Sequence, residues 1–478
     1  FIALVLSLAS STIVTEREEI GLPTATVFID TTAVGPEFDG IGGCSAGTGP
    51  RLLVDYEEPS RSGLLDFLFL PNYGASLDII KLEIGGEGDS TTGTESSHEP
   101  KPGVFDFESG YEWFMMTEAV KRNPNITVYG LAWSFPAWMY ATSNLTECHT
   151  DWTGCVDGDT AATYIAEWVD GARQVHNITV HYVGFHNESP WRPEWIERLR
   201  KELDVRGHQQ TKIVVADCGP GDGYQSPGLA NNIATNTQLS KVADVVGLHY
   251  PVSIKPATGS QGDPSYYDEL WQLPDHQKLW ASEDYSTYSD SHGGGCLAKL
   301  INRNYVDANL TALIVWDMTW AWYDGLACSG QGLIWAGEPW SGAIGIVDTV
   351  WAVAHTTQVA HKGWRLLNRG QGGSGAGYLP PSIPSAPSNT TRCPTHASFP
   401  ANASGVQCGG LTQSPTSHTA MACAIECCNN NFCADWQFSS TSAAGTGGGG
   451  ADDDDDSDDV VGGGGDAAAA AAAAVIDD

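Results

Sequence analysis

A chain of 478 residues with 41% hydrophobic content is long enough to bury a large core and to hold more than one unit. Its 23 Lys+Arg against 58 Asp+Glu give a formal charge of −35, which argues against nucleic-acid binding driven by counterion release from basic residues. No stretch approaches the ~18–20 apolar residues needed to span a bilayer, so no transmembrane segment is expected.

Phe1 to Ser11 is a short apolar run followed by small residues, the pattern of a signal-peptide-like segment, set at residues 1–20. Asn-X-Ser/Thr sequons at Asn125, Asn144, Asn177, Asn309, Asn389 and Asn402 point the same way, to a lysosomal or secreted glycoprotein. An acidic compartment suits the charge, because protonated carboxylates repel less. Twelve Cys in that setting read as disulfides rather than zinc ligands. Cys148 and Cys155 flank a loop that a bridge would close.

From residue 38 to 335, strand-like and helix-like segments alternate, the signature of parallel βα units. Candidate strands are Phe38–Gly42, Ser76–Gly85, Ile126–Ser134, Val180–Glu188, Lys212–Asp217, Val242–Tyr250, Lys278–Glu283 and Leu313–Asp317. Apolar residues spaced three and four apart predict helices at Tyr111–Lys121, Ala161–Val175, Glu194–Leu203 and Cys296–Tyr305. Eight strands make the fold class α/β, a (β/α)₈ TIM barrel. Residues 366–392 turn to Gly, Ser and Pro and read as a linker. A small Cys-rich module follows at 393–438, then a low-complexity tail at 439–478 too polar and repetitive to pack.

Two glutamates carry the chemistry. Glu188 closes His-Tyr-Val-Gly-Phe-His-Asn-Glu, and Glu283 lies in Lys-Leu-Trp-Ala-Ser-Glu-Asp. Either alone is compatible with a surface residue after a strand. Together, at the carboxyl ends of the fourth and seventh strands, they make the acid/base and nucleophile of a retaining glycosidase. The acid/base role calls for a raised pKa at Glu188, and Asn187 beside it is placed to bond a sugar 2-hydroxyl. Asp284 is the swap candidate for the nucleophile, but neighbouring strand residues face opposite ways. Trp133, Trp138 and Trp316 are candidate sugar platforms or core residues. His249 and Tyr250 end the sixth strand, a polar pair placed to orient the nucleophile, with a satisfied structural histidine as the alternative for His249. No metal site, cofactor loop, HExxH or GxSxG is present.

At these residues the sequence resembles glycoside hydrolase family 59, the galactosylceramidase family, from Phe38 to about Leu367. Phe-Asp-Gly-Ile-Gly at 38–42, Lys-Leu-Glu-Ile-Gly-Gly at 81–86, Trp-Ser-Phe-Pro at 133–136, His-Tyr-Pro at 249–251, Ser-Glu-Asp at 282–284 and Glu-Pro-Trp-Ser-Gly at 338–342 carry the likeness. The resemblance implies a barrel with an accompanying β-sandwich, here reduced to remnant strands at 21–37 and a return segment at 336–365. It implies retaining removal of galactose from galactosylceramide in the lysosome, with Glu188 as proton donor and Glu283 as nucleophile. It also implies sugar contacts from Thr91, Trp133, Asn187, Ser286 and Trp316, and leaves open a lipid-presenting activator protein as partner. Three departures stand out. His186 occupies a position where the family has Trp, and Cys328 one where it has Tyr. Thr395 stands where an Arg is expected if Cys393 pairs with Cys296. The rivals are another retaining β-glycosidase on the same barrel and a catalytically impaired sugar- or glycolipid-binding protein.

Overall fold

The structure, a computed structural model, describes residues 26–29, 34–46, 49–88, 93–140, 149–151, 154–189, 192–218, 228–251, 270, 272–273, 277–285, 291–320, 331–367 and 376–379. The signal-peptide-like segment, Thr91, Ser286, Cys328, the Cys-rich module and the tail lie outside the described residues.

Eight strands close a parallel barrel. We number them β1 (Gly40–Ser45), β2 (Ile79–Ile84), β3 (Thr127–Ala132), β4 (Tyr182–Gly184), β5 (Lys212–Cys218), β6 (Val245–His249), β7 (Lys278–Tyr285) and β8 (Ala312–Trp316). Each pairs with the next, and β8 returns to β1 through Ala312↔Gly40 and its successors. All eight expected strands appear. They read clearly in sequence because barrel strands are covered on both faces and are therefore almost continuously apolar.

The helices bury one face each. Gly158–Gln174 starts where the Asp157 carboxylate accepts the Thr160 N–H at 2.9 Å, satisfying a helix-end donor. Pro193–Val205 opens on a proline, which fits the first turn. Side chains such as Trp168, Trp195, Leu199 and Leu203 pack between helices and sheet. A separate interior cluster, including Tyr129, Leu131, Tyr182, Val214 and Trp280, fills the barrel itself. At the amino-terminal end Asp39 ties the strands together, accepting from Trp280 Nε1 at 2.9 Å and Thr311 Oγ1 at 2.5 Å.

The barrel unit runs past the expected limit at residue 335. Helix Asp348–Thr357 packs beside helix Ser291–Asn302. Thr357 Oγ1 donates to Ala75 O at 2.6 Å and Gln358 Nε2 to Gly74 O at 2.7 Å. A compact unit therefore includes residues 36–366. In the other unit, strand Thr26–Ile29 pairs antiparallel with Ala376–Leu379. Among the described residues no helix is long and apolar enough to cross a membrane.

The disulfide expectation needs one correction. Cys155 and Cys296 are each disulfide-bonded, but Cys44 and Cys218 stand as fully buried thiols. They lie on β1 and β5, where a small apolar side chain fills space, and burial pushes the Cys44 thiol well up from its usual range.

Candidate active site

Backbone irregularities at the carboxyl ends of the strands aim the site residues inward. Strict alternation along β7 would turn Ser282 and Glu283 to opposite sides. A register shift against β8 between Ala281 and Asp284 inserts an extra residue, and such a bulge re-aims side chains. Ser282 and Glu283 consequently both reach the interior cluster. Asp284 is buried elsewhere, accepting Asn304 Nδ2 at 2.6 Å. A second shift, where Gly247 pairs with Ala216 but Leu248 with Cys218, skips Asp217. Ala216 and Asp217 take left-handed φ values of 70° and 54° there. Gly247 has no side chain because a Cβ would stand 2.7 Å from Ser282 Oγ.

Glu188 does not close its strand, as the sequence suggested. β4 ends at Gly184, and Glu188 sits in a turn beyond it with φ 45°. Its N–H donates to Asp217 O at 3.1 Å, and the Asn187 N–H to Ala132 O at 2.8 Å. Glu188, Asp217 and Tyr250 all carry positive φ. Strain concentrated on a few non-glycine residues in one place is a mark of a functional site.

Asp217, which is 1% exposed, is the hub. Its Oδ1 accepts Lys81 Nζ at 2.9 Å, Ser282 Oγ at 3.1 Å and His249 Nε2 at 2.6 Å; its Oδ2 accepts the Tyr129 hydroxyl. Lys81 is wholly buried and also donates to Glu283 Oε2 at 3.3 Å and Ser282 O at 3.1 Å. Tyr250 OH donates to Glu283 Oε1 at 3.0 Å. His249 Nδ1 donates to Glu188 Oε1 at 3.0 Å and lies 3.8 Å from Glu283 Oε1. The expected polar pair therefore divides its work: Tyr250 holds Glu283, whereas His249 holds Glu188.

The electrostatics follow from that wiring. Burial opposes a charge on Asp217, but Lys81 and the His249 hydrogen bond hold its carboxyl well below the usual range. Burial likewise opposes a charge on His249. The negative Glu283 and the hydrogen bonds to Asp217 and Glu188 outweigh it and raise the imidazole to about 9. Glu188 is then lowered, chiefly by the His249 hydrogen bond and against the effect of burial. This differs from the raised Glu188 that an acid role calls for: a cation next to the carboxyl outweighs desolvation.

One oxygen each of Glu188 and Glu283 and Nδ1 of His249 lie within 4.8 Å of one another. A histidine protonated on Nδ1 has no lone pair to offer a metal there, so the trio reads as an acid–base set. Two carboxylates this close, one 43% exposed and the other 6%, are spaced nearer to the retaining than to the inverting arrangement. That arrangement suits double displacement.

The profile of Glycosyl hydrolase family 59 matches residues 38–358. The chain belongs to glycosyl hydrolase family 59. Galactocerebrosidase of Danio rerio is 42% identical over 345 residues, 71% of this chain and 48% of the relative. Galactocerebrosidase of Homo sapiens is 40% identical over 344 residues, 72% of this chain and 46% of the relative. The chain thus spans about half the length of the curated relatives it matches. Among solved structures, SrfJ from Salmonella typhimurium is similar with a TM-score of 0.56 and 17% identity, covering 73% of this chain and 81% of that one. The catalytic domain of GH30 xylanase C from Talaromyces cellulolyticus gives a TM-score of 0.53 and 18% identity, covering 70% and 79%. These two likenesses concern the barrel fold.

In this family 59 chain the other expected contacts are unevenly placed. Asn187 is half-buried, and its Oδ1 is buried with no partner among the described residues. Trp133 and Trp316 are 8% and 7% exposed, and the Trp133 ring centre stands 5.1 Å from Lys81 Nζ. Trp138 donates Nε1–H to Glu99 O at 2.8 Å, so it braces a loop. His186, in the slot where Trp was expected, donates Nε2–H to Trp133 O at 3.0 Å. Lys81, Tyr129, Asp217 and Ser282 were not anticipated. The available signal was a lysine inside Ile-Ile-Lys-Leu-Glu-Ile and an aspartate ending Ile-Val-Val-Ala-Asp, since buried charges need partners.

Proposed function

We propose that this chain is a retaining β-galactosidase of the acidic lysosomal or secreted route, removing galactose from galactosylceramide-like glycosphingolipids. The carrying observation is the separation of the two glutamates, within 4.8 Å between carboxylate oxygens. Retaining enzymes hold the pair ~5–5.5 Å apart and inverting ones ~6.5–9.5 Å. The galactose and the lipid aglycone are supported by the names of the relatives, Galactocerebrosidase.

In the first step Glu283 Oε attacks the anomeric carbon as the bond to the leaving oxygen breaks, and Glu188 gives that oxygen a proton. A galactosyl ester on Glu283 and a free ceramide-type alcohol result. In the second step water attacks the same carbon, Glu188 takes the water proton, and Glu283 leaves as carboxylate. Lys81 and Tyr250 hold Glu283 in the attacking orientation. Asn187 Oδ1 accepts the sugar 2-hydroxyl, a bond that strengthens as positive charge grows on the ring. Trp133 and Trp316 wall the sugar, and the family resemblance adds Thr91 and Ser286, which lie outside the described residues, as further candidates.

Glu283→Gln is expected to abolish hydrolysis of an aryl β-galactoside across pH 4 to 7. Activity surviving that change refutes the assignment. A panel of aryl β-glucosides, β-xylosides and β-mannosides tests the sugar: hydrolysis of galactosides alone is the expected result.

A further inference from the structure

We propose that His249, fixed from behind by Asp217, is an acid gate: it keeps the proton-donating glutamate ionised in neutral medium and so confines the first chemical step to acidic conditions. The proposal rests on the reading of Glu188 as proton donor and adds a positioning residue to it, together with a regulation by pH.

The geometry makes the case. His249 is completely buried and is held on both ring nitrogens, by Asp217 on one side and Glu188 on the other. Charged groups face it from every neighbouring strand: Glu188 beyond β4, Asp217 on β5, Glu283 on β7 and Lys81 on β2. Its chain neighbour Tyr250 presents its ring roughly at right angles, centroids 6.0 Å apart. Asp217 cannot release the imidazole cheaply, because Lys81, Tyr129 and Ser282 fix its carboxylate in place. Asp217 accepts the Nε2 proton, and with three carboxylates against one ammonium around it the ring is favoured as an imidazolium, whose Nδ1–H points at Glu188 Oε1. For Glu188 to serve as acid it must take up a second proton from solvent while the imidazolium stays beside it. Hydrogen bonding to the ionised form and a nearby cation both make that harder, in line with the lowered Glu188.

The two steps of double displacement then respond differently. Glycosylation needs Glu188 protonated and is throttled as pH rises. Deglycosylation needs Glu188 as a base, the state the gate favours. A substrate whose leaving group departs without a proton bypasses the gate.

The test is the pH profile of kcat/KM on 4-methylumbelliferyl β-galactoside for the wild type and His249→Gln. The variant is expected to shift the alkaline limb upward by about one pH unit or more, the size of effect an adjacent cation exerts on a carboxyl. With 2,4-dinitrophenyl β-galactoside that limb is expected to vanish from both proteins. A limb that stays put or moves down overturns the proposal, the latter showing that His249 hands its own proton to Glu188. A second readout does not depend on turnover: the carbon-13 titration of the Glu188 carboxyl, assigned with Glu188→Gln. It is expected below the ordinary glutamate value of ~4.3 in the wild type and higher in His249→Gln. If the wild type hydrolyses no β-galactoside, the functional reading fails, and the titration alone decides the gate. If His249→Gln does not fold, a wild-type Glu188 titrating at or above the ordinary value still overturns it.

Discussion

Two groups of buried carboxylates sit in the same barrel and meet opposite fates. Asp217 and Glu283 share a buried ammonium, Lys81, with the imidazolium of His249 completing the set. Glu95 and Glu112 are equally buried, at 3% and 2% exposure, yet the donors they receive are neutral. Glu95 accepts the N–H groups of Tyr111 and Glu112, and Glu112 accepts Ser45 Oγ–H and the Glu83 N–H. Burial raises Glu95 to about 7, and burial together with Glu95 and Glu83 raises Glu112 well up. Cations keep buried acids charged and ready for chemistry; neutral donors let them take a proton and become structural.

Removing the shared cation should break this contrast most severely. Lys81→Met leaves two buried carboxylates without their ammonium, and truncating one partner of such a set costs about 3–5 kcal/mol. Urea unfolding at pH 5 should show that loss together with a collapse of turnover. An unchanged midpoint would mean the cluster is neutral in the wild type.

At the exposed end of the charged cluster, Glu188→Gln should cost roughly 10²–10⁴-fold in turnover of substrates with poor leaving groups, the usual worth of a positioned acid. Activated aryl galactosides should lose far less in the first step, and added azide should restore turnover by replacing the missing base function. Equal losses on both substrate types would contradict the assignment.

The neutral cluster yields the smallest effect, and its sign is fixed. Glu95 has a folded pKa of about 7, above its unfolded ~4.3. The folded state therefore binds more protons, and this contribution is full below pH ~4.3 and lost as pH rises to about 7. His249, raised to about 9, adds a loss at still higher pH. Melting temperature should fall between pH 4.5 and 7, and Glu95→Gln should flatten that fall by on the order of 1–3 kcal/mol. A slope identical in both proteins would show that Glu95 is ionised when folded.

The barrel was legible because eight buried strands are eight apolar runs, and the paired glutamates because charge at the end of such a run is unusual. The rest of the site was hidden by its geometry. Period-two alternation predicts one residue per side, but the bulges at Asp217 and at Ser282–Glu283 break that count. The sequence offers Glu188 by its residue type, whereas its position in a positive-φ turn has no sequence signature. Cys44 and Cys218 were misread because overall composition was allowed to outweigh their places in the barrel strands.

In the proposed reaction Glu283 forms a covalent bond to the sugar while Glu188 faces it across one anomeric carbon. Incubation with 2,4-dinitrophenyl 2-deoxy-2-fluoro-β-galactoside, followed by peptide mass spectrometry, tests it directly. A single fluorogalactosyl ester on Glu283 is the predicted result. An adduct on Asp284 or Glu188, or release of α-galactose first from an ordinary substrate, would contradict it.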